Sequence, residues 1–187
     1  MFEIRFHGRG GQGVVTTTEL LSVAAFAEGR HAQAFPTFGS ERTGAPVVGF
    51  CRIGDHPIRS HDPIAAPNAL IVQDATLLRL PGVLTGLAAD GYLLVNSART
   101  PAELGLDPSA RVLTVPATEL ALTHLGRPLP GAVLLGAFAA FTGQVRLDSV
   151  LAAIRERFSG AVAVGNITAA RSAYGLALEE TARARTD

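Results

Sequence analysis

Hydrophobic and polar positions alternate from the start of the chain, with Phe2, Ile4 and Phe6 interleaved by Glu3, Arg5 and His7. A period of two predicts a strand with one buried face. After a glycine-rich break, Val14, Val15, Leu20, Leu21, Ala24 and Ala25 recur at helical spacing as far as Gly29, a C-terminal stop signal. "HAQAF" predicts a second strand and "VVGFCRI" a third. With "GDHP" as a turn into "IRS", Val47 to Ser60 reads as an antiparallel hairpin. Three short apolar runs, "NALIVQD", "GYLLVNS" and "RVLTVP", predict parallel strands. A broken helical segment, Ala75 to Ala89, lies between the first two, and a helix over Ala117 to Leu125 follows the third.

The last third changes character. "GAVLLGAFAAFTG" is almost wholly apolar but too short to span a bilayer, so it predicts a buried helix. "LDSVLAAIRERF" predicts an amphipathic helix, with Asp148 favouring its first turn and Arg155 and Arg157 its last. "NITAARSAYGLALEETARAR" predicts a final helix with Ile167, Ala170, Tyr174 and Ala177 or Leu178 along one stripe. The order of elements gives an α/β fold: a Rossmann-like mixed, mainly parallel sheet with helices on both faces and an inserted β-hairpin. With no repeat and no linker, residues 1–187 read as a single domain.

Composition adds exclusions. Sixteen basic residues balance sixteen acidic ones, so no net field draws the chain to nucleic acid or an anionic membrane. No apolar run reaches membrane-spanning length and the start carries no leader pattern, which gives a cytoplasmic expectation. The single cysteine, Cys51, can neither close an internal disulfide nor hold a cysteine-ligated iron–sulfur cluster.

Candidate chemistry begins at "GRGGQG". Gly8, Gly10 and Gly13 satisfy the G-x-G-x-x-G spacing that lets a backbone approach a pyrophosphate, and Gly11, Arg9 and Gln12 complete the loop. A dinucleotide site also needs an acidic residue at the end of the second strand. Glu28 has a suitable offset but falls at the end of the first helix, and the second strand ends in "FPTFG". The glycines equally permit close contact with another subunit, and both readings stand. Arg9 suits a phosphate, a carboxylate or an intersubunit ion pair, and Gln12 offers an amide to any of these. A second loop, with Phe35, Pro36, Thr37, Phe38, Gly39, Ser40, Glu41 and Arg42, supplies further hooks, Glu41 and Arg42 being equally readable as a local ion pair. Asn96 and Ser97 fall where a strand meets the carboxyl edge of the sheet. The five histidines show no metal spacing; His56 and His61, with Asp55 and Asp62, read as solvated turn residues and Cys51 as a core residue. No side chain is assigned as catalytic acid, base or nucleophile, and none as a metal ligand.

Taken together, "GRGGQGVVT", "AQAFPTFGSERTGAPVVGFCRI", "IVQDATLL", "LLVNS" and "LLGAFAAFTG" resemble the gamma subunit of the 2-oxoacid:ferredoxin oxidoreductases, the pyruvate synthase group, over nearly the whole chain. The resemblance implies a complex that oxidatively decarboxylates a 2-oxo acid, forms an acyl-coenzyme A and carbon dioxide, and passes electrons to ferredoxin or, through another subunit, to NAD. It implies partners of alpha, beta and delta (ferredoxin-like) type, with a flavin NAD-linked subunit carrying FAD in some relatives. Thiamine diphosphate, Mg2+ and 4Fe-4S clusters are implied for those partners, with coenzyme A as a substrate. This chain is then inactive alone, with an assembly and site-completing role. The competing reading is a standalone nucleotide- or coenzyme A-binding module built on the GRGGQG loop.

Overall fold

The computed structural model describes residues 1–36, 43–107 and 110–183. Six strands form one sheet: β1 (Phe2–Arg9), β2 (His31–Pro36), β3 (Pro46–Gly54), β4 (Ala69–Val72), β5 (Tyr92–Asn96) and β6 (Arg111–Val115). Their spatial order is β2-β3-β1-β4-β5-β6. β1, β4, β5 and β6 pair in parallel, while β3 runs antiparallel to both β1 and β2. Only β3 is reversed, so the sheet is mixed and mainly parallel as expected. The antiparallel hairpin exists one strand earlier than the sequence reading placed it. β3 pairs with β2, and Ile58–Ser60 forms no strand. The chain beyond the "GDHP" turn instead supplies carbonyls to a buried arginine: Arg52 donates to Ser60 O at 3.3 Å and Asp62 O at 2.6 Å.

Five α-helices complete the fold: α1 (Val14–Ala27), α2 (Ala117–Leu125), α3 (Gly131–Thr142), α4 (Leu147–Arg157) and α5 (Gly160–Arg183). All five contribute to one apolar core with Ile4, Phe6, Ile71, Leu94 and Leu113 of the sheet. Alternate residues of the same strands, Leu70, Val72, Leu93 and Val95, form a second core on the opposite face. That face is covered by two short 3-10 helices, Ala75–Arg79 and Ala102–Leu104, and irregular chain. Helical segments lie on both faces, but the packing load is unequal.

α3 packs most extensively against α5. Its close approach needs Gly136, where a Cβ would stand 2.1 Å from Ala170 O. α5 begins six residues before the expected Asn166, because Gly165 seats the helix against His124 O and Leu125 of α2, a tertiary contact that overrides poor local propensity. The broken helix expected over Ala75 to Ala89 shortens to the 3-10 helix at Ala75–Arg79 followed by turns.

The first strand departs from its expected exposure. Arg5 and His7 are both buried, so β1 has no solvated face. Arg5 donates to the carbonyls of Ile64, Val83 and Thr85 and, through Nε, to His7 Nε2 at 3.0 Å. Arg52 is likewise buried, bound to Glu3 Oε1 at 2.8 Å and stacked 5.3 Å over the Phe35 ring. The two buried guanidiniums on this face are satisfied by backbone carbonyls together with one side-chain acceptor each, His7 for Arg5 and Glu3 for Arg52.

Candidate functional site

The carboxyl ends of β1, β4 and β5 lie side by side, and the loops leaving them form one hydrogen-bonded edge. Gly8 passes beneath the first turn of α1, where a Cβ would stand 2.5 Å from Val14 Cγ2. Gly11 and Gly13 take φ of 93° and 75°, which favours glycine and turns the chain from strand into helix. The loop is tied to itself: Gln12 N donates to Arg9 O at 3.0 Å, and Arg9 N donates to Gln12 Oε1 at 2.7 Å. A side-chain amide therefore occupies a backbone N–H that a phosphate cradle would present. Gly10 joins the far end of the second loop, donating to Ala45 O at 2.8 Å and accepting from Gly44 N at 3.0 Å. Gly44 and Ala45, which lead into β3, are thereby bonded to the glycine loop. Phe35 and Pro36 are the last residues of β2, Phe35 packing against Phe50 at 5.1 Å between ring centroids. Thr37, Phe38, Gly39, Ser40, Glu41 and Arg42 lie outside the described residues.

Arg9 is held on three sides. Its Nε donates to Asp74 Oδ2 at 3.0 Å, Nη1 to Gly44 O at 3.1 Å and Nη2 to Thr76 Oγ1 at 2.8 Å. Gln12 Nε2 reaches the same Asp74 oxygen at 3.3 Å. Burial alone would raise the Asp74 carboxyl, but the Thr76 hydroxyl and amide, Arg9 and Gln12 hold it below its ordinary value. One position earlier, fully buried Gln73 links three elements. Its backbone N donates to His7 O, its carbonyl accepts from Asn96 Nδ2 at 2.8 Å, and its Nε2 donates to Thr17 Oγ1 at 2.9 Å. Gln73 Oε1 has no partner among the described residues and faces the Gly8 backbone.

Asn96 belongs to this scaffold. Its Nδ2 also donates to Thr118 Oγ1 at 2.7 Å and its Oδ1 accepts from Thr118 N at 3.1 Å, so β4, β5 and α2 are locked together. Ser97 shapes its own turn by accepting from Arg99 N. Both lie on the edge as expected, with their polar atoms engaged in holding it. Gln73, Asp74 and Thr76 were not assigned from the motifs, although they follow an apolar strand run where ligands of parallel sheets collect. Beside the loop, on the helix side, a cavity of about 560 Å³ is lined by Gln12, Thr16, Thr17, His124, Arg127 and Asn166 among apolar side chains.

Glu28 closes the dinucleotide question at its own position: its carboxylate accepts from Arg146 N at 2.7 Å at the end of α1, away from the edge. Among the described residues no group of three or more histidine, cysteine, aspartate or glutamate side chains could hold a metal ion. No helix of the described chain is long and apolar enough to cross a membrane. Cys51 is fully buried in β3, where burial pushes its thiol up to about 12.

Residues 3–176 match the family model for pyruvate ferredoxin/flavodoxin oxidoreductase. The chain belongs to this family. Over 155 residues it is 52% identical to the pyruvate synthase subunit PorC of Methanosarcina barkeri, covering 83% of this chain and 85% of that one. It is 46% identical over 178 residues to the pyruvate/ketoisovalerate oxidoreductases common subunit gamma of Pyrococcus abyssi, covering 93% and 96%. The crystal structure of pyruvate oxidoreductase subunit PORC from Thermotoga maritima superposes with a TM-score of 0.83 at 37% identity, covering 93% of this chain and 95% of that one. Each of these relatives is a subunit by name, and each matches this chain along most of its own length. The family therefore accounts for the whole six-stranded sheet and the loops at its edge, and the standalone nucleotide module gives way to the subunit reading.

Proposed function

We propose that this chain is the gamma subunit of a coenzyme A-acylating 2-oxoacid oxidoreductase, completing the site and assembly of a larger complex. The observation that carries the reading is near end-to-end similarity to subunits named for pyruvate synthase and pyruvate/ketoisovalerate oxidoreductases. The complex converts a 2-oxo acid and coenzyme A to an acyl-coenzyme A and carbon dioxide, with electrons passing to ferredoxin or, through a flavin subunit carrying FAD, to NAD. Alpha, beta and delta-type subunits are the partners.

The donor set of this chain does not fit the redox and decarboxylation cofactors. One buried cysteine cannot ligate a 4Fe-4S cluster, which takes four thiolates, and its thiol is held protonated. Among the described residues no three or more histidine, cysteine, aspartate or glutamate side chains come together to hold a metal ion. Those groups belong to partner subunits, and no chemical step is assigned to a side chain here. What this chain contributes is a hydrogen-bonded edge: Arg9 and Gln12 on a glycine loop tied to Asp74 just beyond β4, with Gly44 and Ala45 bonded beside it. Such an edge positions a substrate or a neighbouring subunit without proton transfer.

Gentle anaerobic purification of the native protein tests this. The expected result is recovery with subunits that contain thiamine diphosphate and iron, identified by mass spectrometry, and coenzyme A-dependent turnover of one member of a panel of pyruvate, 2-oxoglutarate, branched-chain and aryl 2-oxo acids. Recovery of the chain alone and free of iron would overturn it.

A further inference from the structure

We propose that Asp74, acting with Thr76, is a positioning residue for Arg9, setting its guanidinium as a fork for an oxyanion at the sheet edge. The inference rests on the subunit reading above and deepens it by naming what aims the one cationic group on the glycine loop.

The Asp74 carboxylate spends both oxygens on this task. Oδ2 accepts from Arg9 Nε and Gln12 Nε2, and Oδ1 accepts from Thr76 N at 3.0 Å and Thr76 Oγ1 at 2.5 Å. Because the Thr76 hydroxyl gives its proton to Asp74, its oxygen faces Arg9 Nη2 as an acceptor, and the direction of that bond is fixed by the carboxylate. Gly44 O takes Nη1. A guanidinium carries five N–H groups. Three are engaged, leaving one on each terminal nitrogen with no partner among the described residues. Two parallel N–H groups on the terminal nitrogens match the oxygens of a phosphate or a carboxylate.

Exposure has the matching order. The Arg9 side chain is 33% exposed and Asp74 18%, so the carboxylate sits behind and the guanidinium in front. The pair is neutral in sum, so an anion is selected here by fork geometry more than by net charge. Removing the Asp74 charge would strengthen the bare Coulomb attraction for an anion while releasing the fork, so a loss of binding in that variant reports orientation. The oxyanion comes either from a small substrate or from an acidic side chain of a partner subunit, and the two sources have different readouts.

The test uses the assembled complex carrying Arg9→Ala, Asp74→Asn, Thr76→Val and the double variant Arg9→Ala with Asp74→Asn. KM and kcat are measured separately for coenzyme A and for the 2-oxo acid, and subunit dissociation is followed by native mass spectrometry. Arg9→Ala is expected to raise one KM, or to weaken subunit association, by roughly tenfold, the scale of one charge-assisted contact. A KM effect assigns the oxyanion to that substrate; an association effect assigns it to the partner. Asp74→Asn and Thr76→Val are expected to move the same quantity several-fold, and the double variant to be no worse than Arg9→Ala alone. Thr76→Val keeps the test alive should Asp74→Asn fail to fold. Full additivity in the double variant, or a fall in thermal stability with KM and association unchanged, would overturn the positioning role. So would an inert Arg9→Ala in a complex that still assembles, a result that leaves the subunit reading intact.

Discussion

His7 makes the fold sensitive to mild acid. Burial first, and the neighbouring Arg5 charge second, push its imidazole from an ordinary 6.5 down to about 4. Arg5 Nε donates to His7 Nε2, so the folded state uses that nitrogen as an acceptor and requires the neutral ring. An unfolded chain binds a proton at His7 once pH falls below about 6.5, whereas the folded chain refuses it until about pH 4. Stability is therefore complete above the unfolded value and is lost as pH falls through that window. A separation of about 2.5 pH units, at about 1.36 kcal/mol each, gives roughly 3 kcal/mol at the bottom of the window and about 2 kcal/mol already at pH 5. Asp74 and Glu28 act lower. Burial alone would raise both carboxyls, but hydrogen bonds and neighbouring arginines hold them below their ordinary 3.8 and 4.5, so their contributions disappear beneath those values. Urea denaturation of the isolated chain, followed by circular dichroism at half-unit steps from pH 5 to pH 8, reads the effect as a fall in midpoint of about 1 M. In His7→Gln the amide oxygen can accept from Arg5 without titrating, and the slope between pH 5 and pH 7 should flatten. Equal slopes in the two proteins would refute the assignment to His7.

Two further outcomes follow from packing and buried charge. Gly136→Ala places a methyl 2.1 Å from Ala170 O, forcing α3 and α5 apart; the expected cost is about 1–3 kcal/mol despite the better helix propensity of alanine, seen as a melting temperature lower by roughly 3–8 °C, and an unchanged melting temperature would contradict it. Arg52→Met strips the donors from Glu3, Ser60 O and Asp62 O around a buried guanidinium whose partner Glu3 is 25% exposed, and should cost about 2–4 kcal/mol by urea denaturation, with a loss below about 1 kcal/mol counting against the contribution of these bonds.

The parallel half of the sheet was legible because its signals are local. "ALIV", "YLLVN" and "RVLTV" are short apolar runs, and β4, β5 and β6 follow them closely. α1 and α4 likewise carry an apolar periodicity within their own residues, while α3 announces itself as a continuous apolar run bounded by Pro130 and Gly143. The antiparallel flank was misjudged because a turn signal says where the chain bends, not which strand it joins. "GDHP" does bend the chain, but Arg52 then uses the following carbonyls as hydrogen-bond acceptors, and β3 finds its partners in β1 and β2. The polar residues of β1 misled for a related reason. Alternation separates polar from apolar positions, while the carbonyls that bury Arg5 come from Ile64, Val83 and Thr85, far along the chain. At the edge, glycine spacing located the loop correctly. Asp74 was missed since its role depends on Arg9, a partner 65 positions away that no local pattern encodes.

The reversal of β3 sets the surroundings of this glycine motif apart from those of a standard dinucleotide site. In the standard dinucleotide-binding order, the strand beside β1 on this flank is parallel and delivers an acidic residue to the carboxyl edge for ribose hydroxyls. Here that place is taken by β3, whose first residue, Pro46, pairs with Arg9. A reversed strand brings its beginning to the carboxyl edge, together with the loop that precedes it. Gly44 and Ala45 consequently bond to Gly10, and Gly44 O takes a donor from Arg9, in the region a ribose would need. The acidic group that does reach the edge, Asp74, arrives on the opposite flank from β4 and is already committed to Arg9, Gln12 and Thr76. The same reversal thus leaves no parallel strand on this flank to deliver a ribose-binding carboxylate, and sets Gly44 and Ala45 against the glycine loop in its place.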